Sequence, residues 1–188
     1  MSEAATEAGP TPPPVSPAPE ERPLFALIVR WWWAPALLAI MLAARAVAVA
    51  GLRAYIYVDS GEYATLDFSG RWRRPWATPL LYAAVGRESR YEVWAQAAVG
   101  AICWTVLGLA IAAWFRDRVV RIVVVAAVCL LGLTTSITNW DTAVLSESLA
   151  LSLTVLLLAG WLALARRPSW GAAVLLSMAT VPWLFVRQ

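Results

Sequence analysis

The sequence predicts an all-α membrane protein with about five transmembrane helices and interfacial helices in its first outer loop. Of its 188 residues, 61% are hydrophobic, and the mean hydropathy is +0.65. A soluble domain of this length has too little interior to bury so much apolar surface, so a lipid bilayer is the expected surrounding. The apolar residues fall into separate runs, and most tryptophans lie at the ends of those runs, as in the aromatic belts of membrane proteins.

Residues 1–23 precede the first apolar run and differ from the rest of the chain. Proline and acidic residues dominate "MSEAATEAGPTPPPVSPAPEERP", and large apolar side chains are almost absent. Such a segment cannot bury enough surface to offset its ordering entropy, so we expect a disordered tail. The segment also lacks the basic start of a signal peptide. Residues 24–188 are expected to form a transmembrane region.

Five apolar runs of about 19 to 24 residues follow, and each is long enough for a helix to cross a hydrocarbon core of roughly 30 Å. Arg45 lies near the far end of the first run, where its long side chain is expected to snorkel to the membrane surface. The predicted transmembrane helices cover residues 31–50, 93–115, 122–140, 142–165 and 168–186.

The short connections predict the orientation in a multi-pass protein of the cell membrane. "RDRVVR" at residues 116–121 and "RRPSW" at residues 166–170 are basic, whereas "TNWD" at residues 138–141 has no arginine. The positive-inside rule therefore places the two basic turns and the N-terminus in the cytoplasm, and the loop of about residues 51–92 outside.

The outer loop has two unusual features. An apolar stretch within residues 73–86 is too short to span and is expected to form an interfacial or re-entrant helix. The loop also carries six arginines on the side that the positive-inside rule disfavours, so they call for either neutralisation by nearby acids or a function. They are Arg53, Arg71, Arg73, Arg74, Arg87 and Arg90.

Composition excludes several kinds of chemistry. The chain has no histidine, which removes Ser-His-Asp triads and His-containing metal sites. Cys103 and Cys129 lie inside apolar runs and are expected to be packing residues, not a disulfide or a metal motif. No nucleic-acid partner is expected, because the sequence has neither a basic helix face nor a recognisable binding motif.

The first candidate for chemistry is the acidic pair in "VDSGEY". Asp59 is followed three residues later by Glu62, a spacing close to that of a helix capping box. A capping carboxylate at the mouth of a membrane cavity is also held in place, and a fixed carboxylate can accept a proton from a substrate hydroxyl. Local pattern leaves both roles open.

The second candidate is the acidic pair of "NWDTAVLSESLALS". Asp141 lies at the predicted outer turn, and Glu147 is expected about six residues inside the fourth span, roughly 9 Å down the helix. A carboxylate at that depth is costly against lipid, so it should either pair with an arginine or face a functional pocket. Both alternatives remain open.

The third candidate is the arginine cluster Arg71, Arg73 and Arg74, in "GRWRRPW". Guanidinium groups beside tryptophans at headgroup depth suit a bidentate grip on a phosphate. Ordinary contact with anionic lipid headgroups is the alternative.

The ordered combination of "VDSGEY", "GRWRRPWATPLLYAAVG" and "NWDTAVLSESLALSL" resembles the N-terminal part of the GT-C membrane glycosyltransferases. This superfamily includes protein O-mannosyltransferases, aminoarabinose transferases and mycobacterial-type arabinosyltransferases. The resemblance covers roughly residues 25–188.

The resemblance implies a sugar transfer from a polyprenyl-phosphate donor on the extracytoplasmic face, with inversion at the anomeric carbon. The acid of the first outer loop, which maps onto Asp59, would be the catalytic base. A later acid, Asp141 or Glu147, would help hold the acceptor, the donor phosphate or, in some members, a divalent metal. Glu62 and the arginine cluster would assist donor binding.

The chain is shorter than the family pattern, because family members usually have about eleven or more spans and five are predicted here. We therefore expect that a second polypeptide completes the fold, or that the chain is a non-catalytic remnant or subunit. A third hypothesis is a transporter of lipid-linked substrates, in which Glu147 would be a proton relay. Such a protein should carry its charged residue near mid-membrane or show broken helices there. Here the acids cluster at the predicted outer edge.

Overall fold

A computed structural model describes residues 33–57, 60–63, 76–86 and 88–186, with the backbone alone at Gly61 and Glu62. The described part is helical, and its one β-type pairing is an isolated parallel bridge between Tyr55 and Ala143. The all-α prediction is therefore confirmed for these residues. The helices are α1 (Ala34–Val49), α2 (Ser60–Tyr63), α3 (Ala77–Val85), α4 (Ser89–Ala112), α5 (Arg118–Gly132), α6 (Thr135–Asp141), α7 (Glu147–Arg166) and α8 (Trp170–Leu184).

Two of these helices, α4 and α7, are long and apolar enough to cross a membrane. A third span results if α5 and α6, which meet at an angle of 54°, are counted as one broken helix. Helices α1 and α8 are apolar but have 16 and 15 residues, respectively. Two to three membrane-spanning helices are thus supported, and the other two or three of the five stay a prediction.

The helix boundaries correct two of the predicted spans. The third is interrupted at Leu133 and Thr134, between α5 and α6. The fourth begins at Glu147 and not at Thr142, because residues 142–146 are not helical and pair with the outer loop. Both errors arise because hydropathy measures apolar content and does not detect a change of backbone conformation.

Helix α4 lies at the centre of the bundle and packs against α1, α5 and α7. Small residues on α4 are fully buried and let the neighbouring backbones approach closely, as is typical of membrane helices. These residues are Ala97, Gly100, Ala101, Gly108 and Ala112. Cys103 and Cys129 are buried free thiols, in agreement with the predicted packing role.

Helix α3 confirms that the apolar stretch within residues 73–86, in the loop predicted to lie outside, is helical. Its first residue, Ala77, is buried in a cluster with Leu149, Leu153 and Val186. The Ala77 N–H donates a hydrogen bond to the Phe185 carbonyl, 3.2 Å away. The helix is therefore packed on the bundle, at the end where α7 begins and α8 terminates.

The bundle has two ends with different structures. The loop end carries residues 51–63, helix α3 and the start of α7. The turn end carries the short connections from α4 to α5 and from α7 to α8.

Candidate functional site

The centre of the loop end is the connection from α6 to α7, residues 142–146. The Tyr55 N–H donates to the Thr142 carbonyl at 2.8 Å, and the Val144 N–H donates to the Tyr55 carbonyl at 3.1 Å. A chain that leaves a helix must find new partners for its backbone groups, and the outer loop supplies them here. We call residues 142–146 the pinned segment.

The residues that surround Asp59 in sequence are held against the pinned segment. Ser60 Oγ accepts a hydrogen bond from the Tyr57 N–H at 2.9 Å and donates one to the Val144 carbonyl at 2.8 Å. The Tyr63 hydroxyl lies 3.2 Å from Ser146 Oγ. Ser60 and Tyr63 are both buried. Two side chains that follow Asp59 thus attach the outer loop to the segment that leads into α7.

Several predicted site residues lie outside the described part of the chain. Asp59 and the arginine cluster of Arg71, Arg73 and Arg74 fall there, as does the side chain of Glu62. Their assigned roles remain predictions.

Glu147 is the first residue of α7, and its side chain is exposed. The expected depth of about six residues inside a span is therefore wrong, because the helix starts at Glu147 itself. A carboxylate in the first turn interacts favourably with the positive end of the helix dipole. It is also accessible, next to the pinned segment.

Asp141 has a different environment from Glu147, although sequence alone did not separate them. Its side chain is buried, and Ser148 Oγ donates a hydrogen bond to its Oδ1 at 2.7 Å. Arg45 Nη1 donates to its Oδ2 at 2.5 Å and forms an ion pair with it. Both carboxylate oxygens are thus occupied within the protein, and Asp141 connects α1, α6 and α7.

Arg45 does not snorkel to the membrane surface as predicted, because its guanidinium group has partners inside the bundle. Only 1% of Arg45 is exposed. Its Nη2 donates to the carbonyl of Gly132 at 2.8 Å, at the end of α5. Carbonyls at a helix end lack intrahelical partners, and Arg45 supplies one to Gly132 at the end of α5. The same guanidinium group binds Asp141 at the end of α6. The bent pair α5–α6 is therefore bridged by one side chain of α1.

A second buried polar group adjoins the pinned segment. The Tyr82 hydroxyl donates to the Leu145 carbonyl at 3.2 Å and accepts a hydrogen bond from Gln96 Nε2. Burial, together with the nearby Glu92, raises the pKa of Tyr82 above its ordinary value, so the phenol stays protonated. Sequence analysis missed this group. Glu92 and Gln96 are four residues apart within an apolar helix, and that spacing was the available signal.

Two clefts open at the loop end, and Leu52 and Arg53 line both. One, of about 530 Å³, lies between the end of α1 and the start of α4 and includes Arg90 and Trp94. The other, of about 470 Å³, lies beside the pinned segment and includes Tyr55, Tyr57 and Trp140. An arginine beside aromatic side chains can bind an anionic group while the rings contact an apolar or sugar face. Asp141 lines neither cleft.

The described residues contain no group of three or more histidine, cysteine, aspartate or glutamate side chains that could hold a metal ion. No family model matches the chain, and no similar protein was found among the curated proteins or the solved structures.

Proposed function

We propose that the chain is the N-terminal part of a membrane glycosyltransferase of the GT-C type. It would use a sugar on a polyprenyl phosphate and act at the loop end, which the charge distribution predicts to be extracytoplasmic. The single observation that best supports this proposal is the attachment of Ser60 and Tyr63 to residues 144 and 146. Those hydrogen bonds bring the chain beside Asp59 next to the start of α7, where Glu147 is exposed.

The proposed reaction begins with deprotonation of the acceptor. The Asp59 carboxylate accepts the proton of the acceptor hydroxyl, and the hydroxyl oxygen attacks the anomeric carbon of the donor sugar. The bond from that carbon to the phosphate oxygen breaks, and the polyprenyl phosphate leaves with the bonding electrons. Attack from the side opposite the leaving group inverts the configuration.

Arginines would stabilise the charge that grows on the leaving phosphate. Arg53 is supported for this role because it lines both clefts of the loop end. The arginine cluster of residues 71–74 would add further guanidinium groups. Fixed cations at a site where negative charge develops lower the barrier, since they are oriented before the reaction.

Glu147 is the better candidate for the second acidic role, and Asp141 the weaker one. Asp141 has both oxygens engaged by Arg45 and Ser148. A carboxylate that is already paired inside the protein could bind a substrate only if its buried ion pair were broken, which is costly. Glu147 is exposed and carries no such constraint.

The test compares Asp59→Asn with Asp117→Asn in membranes of the cells that naturally produce the protein, where any second polypeptide that completes the fold is present. Transfer or release of radiolabelled sugar is measured with a panel of polyprenyl-phosphate sugars. The Asp59 variant should lose about 10²- to 10⁴-fold in rate, the usual contribution of a general base. Asp117 caps α5 at the turn end through the Val120 N–H. Asparagine is an equally good cap, so this control should keep the activity.

Three results would count against the proposal. Equal rates in wild type and the Asp59 variant would remove Asp59 from the chemistry. Equal loss in both variants would indicate a general effect of charge or folding. If the wild-type chain neither transfers nor binds any donor of the panel, the chain is a non-catalytic subunit, the second hypothesis.

A further inference from the structure

A separate cavity lies at the turn end, far from the candidate site. It has a volume of about 350 Å³ and is bounded by the end of α4, the end of α7 and the start of α8. Its wall includes the alanines Ala110, Ala113 and Ala163, and its charged residues are Arg166 and Arg167.

Small side chains explain why this space is empty of protein. Three helix ends converge there, and alanine and glycine do not fill the gap between them. At Gly171 an added Cβ would meet no heavy atom within 4 Å. The turn from α7 to α8 therefore borders an open pocket that the side chains of the protein do not fill.

The charge of the cavity is of one sign. Arg166 and Arg167 are exposed, and no acidic residue lines the cavity. The one ion pair of the described residues joins Arg45 to Asp141, so neither arginine is neutralised in this way. Guanidinium groups that line one cavity can offer a phosphate several charge-assisted hydrogen bonds.

The depth of the cavity follows from the length of α7. This helix has 20 residues, so its ends are separated by roughly 30 Å, the thickness of a hydrocarbon core. Glu147 stands at one end and Arg166 at the other. In a bilayer that α7 crosses, the cavity is expected at headgroup depth, in the leaflet opposite the candidate site.

We propose that this cavity binds one anionic phospholipid. The headgroup phosphate lies between Arg166 and Arg167, and the start of the acyl chains contacts the alanine wall and Leu175. A zwitterionic lipid is disfavoured because its ammonium group adds positive charge beside two arginines. A soluble phosphate lacks the apolar part that the wall contacts. The proposal is independent of the glycosyltransferase proposal, because it concerns the other end of the bundle.

The test is native mass spectrometry of the full chain in detergent, titrated with phosphatidylglycerol and, separately, with phosphatidylcholine. We expect one phosphatidylglycerol to bind before any phosphatidylcholine. Arg166→Gln combined with Arg167→Gln should weaken this first binding step about tenfold or more, since each arginine near an anionic headgroup contributes measurably. Inorganic phosphate at millimolar concentration should not displace the lipid.

Three further variants make the test specific. Arg116→Gln combined with Arg118→Gln removes the same charge from the same end but from residues that do not line the cavity, and should change the affinity less than about threefold. Ala113→Leu combined with Ala163→Leu fills the cavity with the charge unchanged, and should weaken binding as strongly as loss of the arginines. Arg166→Lys with Arg167→Lys keeps the charge and should retain most of the lipid preference.

The proposal is overturned if the two arginine pairs have equal effects, because binding would then be a diffuse surface attraction. It is also overturned if the leucine variants bind normally, if phosphatidylcholine binds equally well, or if inorganic phosphate displaces the lipid. Circular dichroism of each variant shows whether the helices are intact, and the lysine pair provides a readout if the glutamine pair does not fold.

Discussion

The two ends of the bundle are held together in opposite ways. At the loop end, hydrogen bonds join residues that are far apart in sequence: Ser60 to Val144, 84 positions away, and Arg45 to Asp141, 96 positions away. At the turn end the polar contacts are local. Asp117 caps α5 three residues ahead, and Arg121 reaches back six residues to the Phe115 carbonyl.

The two ends are therefore expected to contribute to stability in different ways. Local contacts at the turn end form whenever the adjoining helices form, and they leave a cavity between the helix ends. The long-range ion pair of Arg45 and Asp141 forms only when α1 and α6 are assembled, so a substitution in it should affect the whole bundle. Chemistry that needs fixed side chains is better placed on the long-range end.

The largest expected effect is the loss of the buried ion pair. Asp141→Asn keeps the shape of the side chain but leaves the Arg45 charge without its counter-ion inside the protein. Removing one partner of such a pair costs about 3 to 5 kcal/mol. Unfolding of the detergent-solubilised chain in increasing dodecyl sulfate, followed by circular dichroism, measures the loss.

The matched change at the turn end is Asp117→Asn, which is exposed and keeps its cap. It should alter the free energy of unfolding by less than about 0.5 kcal/mol. If both variants are equally stable, the long-range ion pair does not stabilise the bundle. The two ends would then not differ in their contribution to stability. A double variant, Arg45→Met with Asp141→Leu, should be more stable than Asp141→Asn, because it leaves no unpaired buried charge.

The difference between local and long-range contacts also explains which features of the fold the sequence could predict. Hydropathy placed the apolar helices well, since a helix depends on nearby residues. It missed the break at Leu133 and the non-helical pinned segment, because both depend on partners in the outer loop and in α1. Arg45 was expected to snorkel for the same reason: nothing near it in sequence reveals a partner at Asp141. Glu147 and Asp141 looked equivalent until the helix start separated them.

Gly100 and Gly171 differ in the space around them. A Cβ added at Gly100 would overlap the guanidinium group of Arg45. An exposed arginine would move aside, but this one is held by Asp141 and the Gly132 carbonyl. Gly100→Ala should therefore destabilise the bundle by about 1 to 3 kcal/mol, as overpacking does.

Gly171→Ala is the control at the turn end, since a Cβ there meets nothing within 4 Å. It should be neutral or stabilise α8 by up to about 1 kcal/mol, because alanine is the better helix former. The dodecyl sulfate titration used for Asp141→Asn measures both variants. Equal destabilisation by the two alanines would mean that Arg45 is not confined as the hydrogen bonds indicate.

The smallest expected effect concerns the attachment of the outer loop. Ser60→Ala removes the hydroxyl that bonds both the Tyr57 N–H and the Val144 carbonyl, and leaves two backbone groups without these partners. The cost is about 1 to 2 kcal/mol and is local, since the helices do not depend on it. Hydrogen exchange of the Val144 amide should accelerate about tenfold while the global unfolding free energy stays nearly constant.

The control is Ser177→Ala, which removes an exposed hydrogen bond to the Ala173 carbonyl within α8 and should leave the exchange at Val144 unchanged. Unchanged exchange in the Ser60 variant would show that the outer loop is fastened by Tyr55 and Tyr63 alone, and the observation on which the proposed site rests would lose its strongest contact.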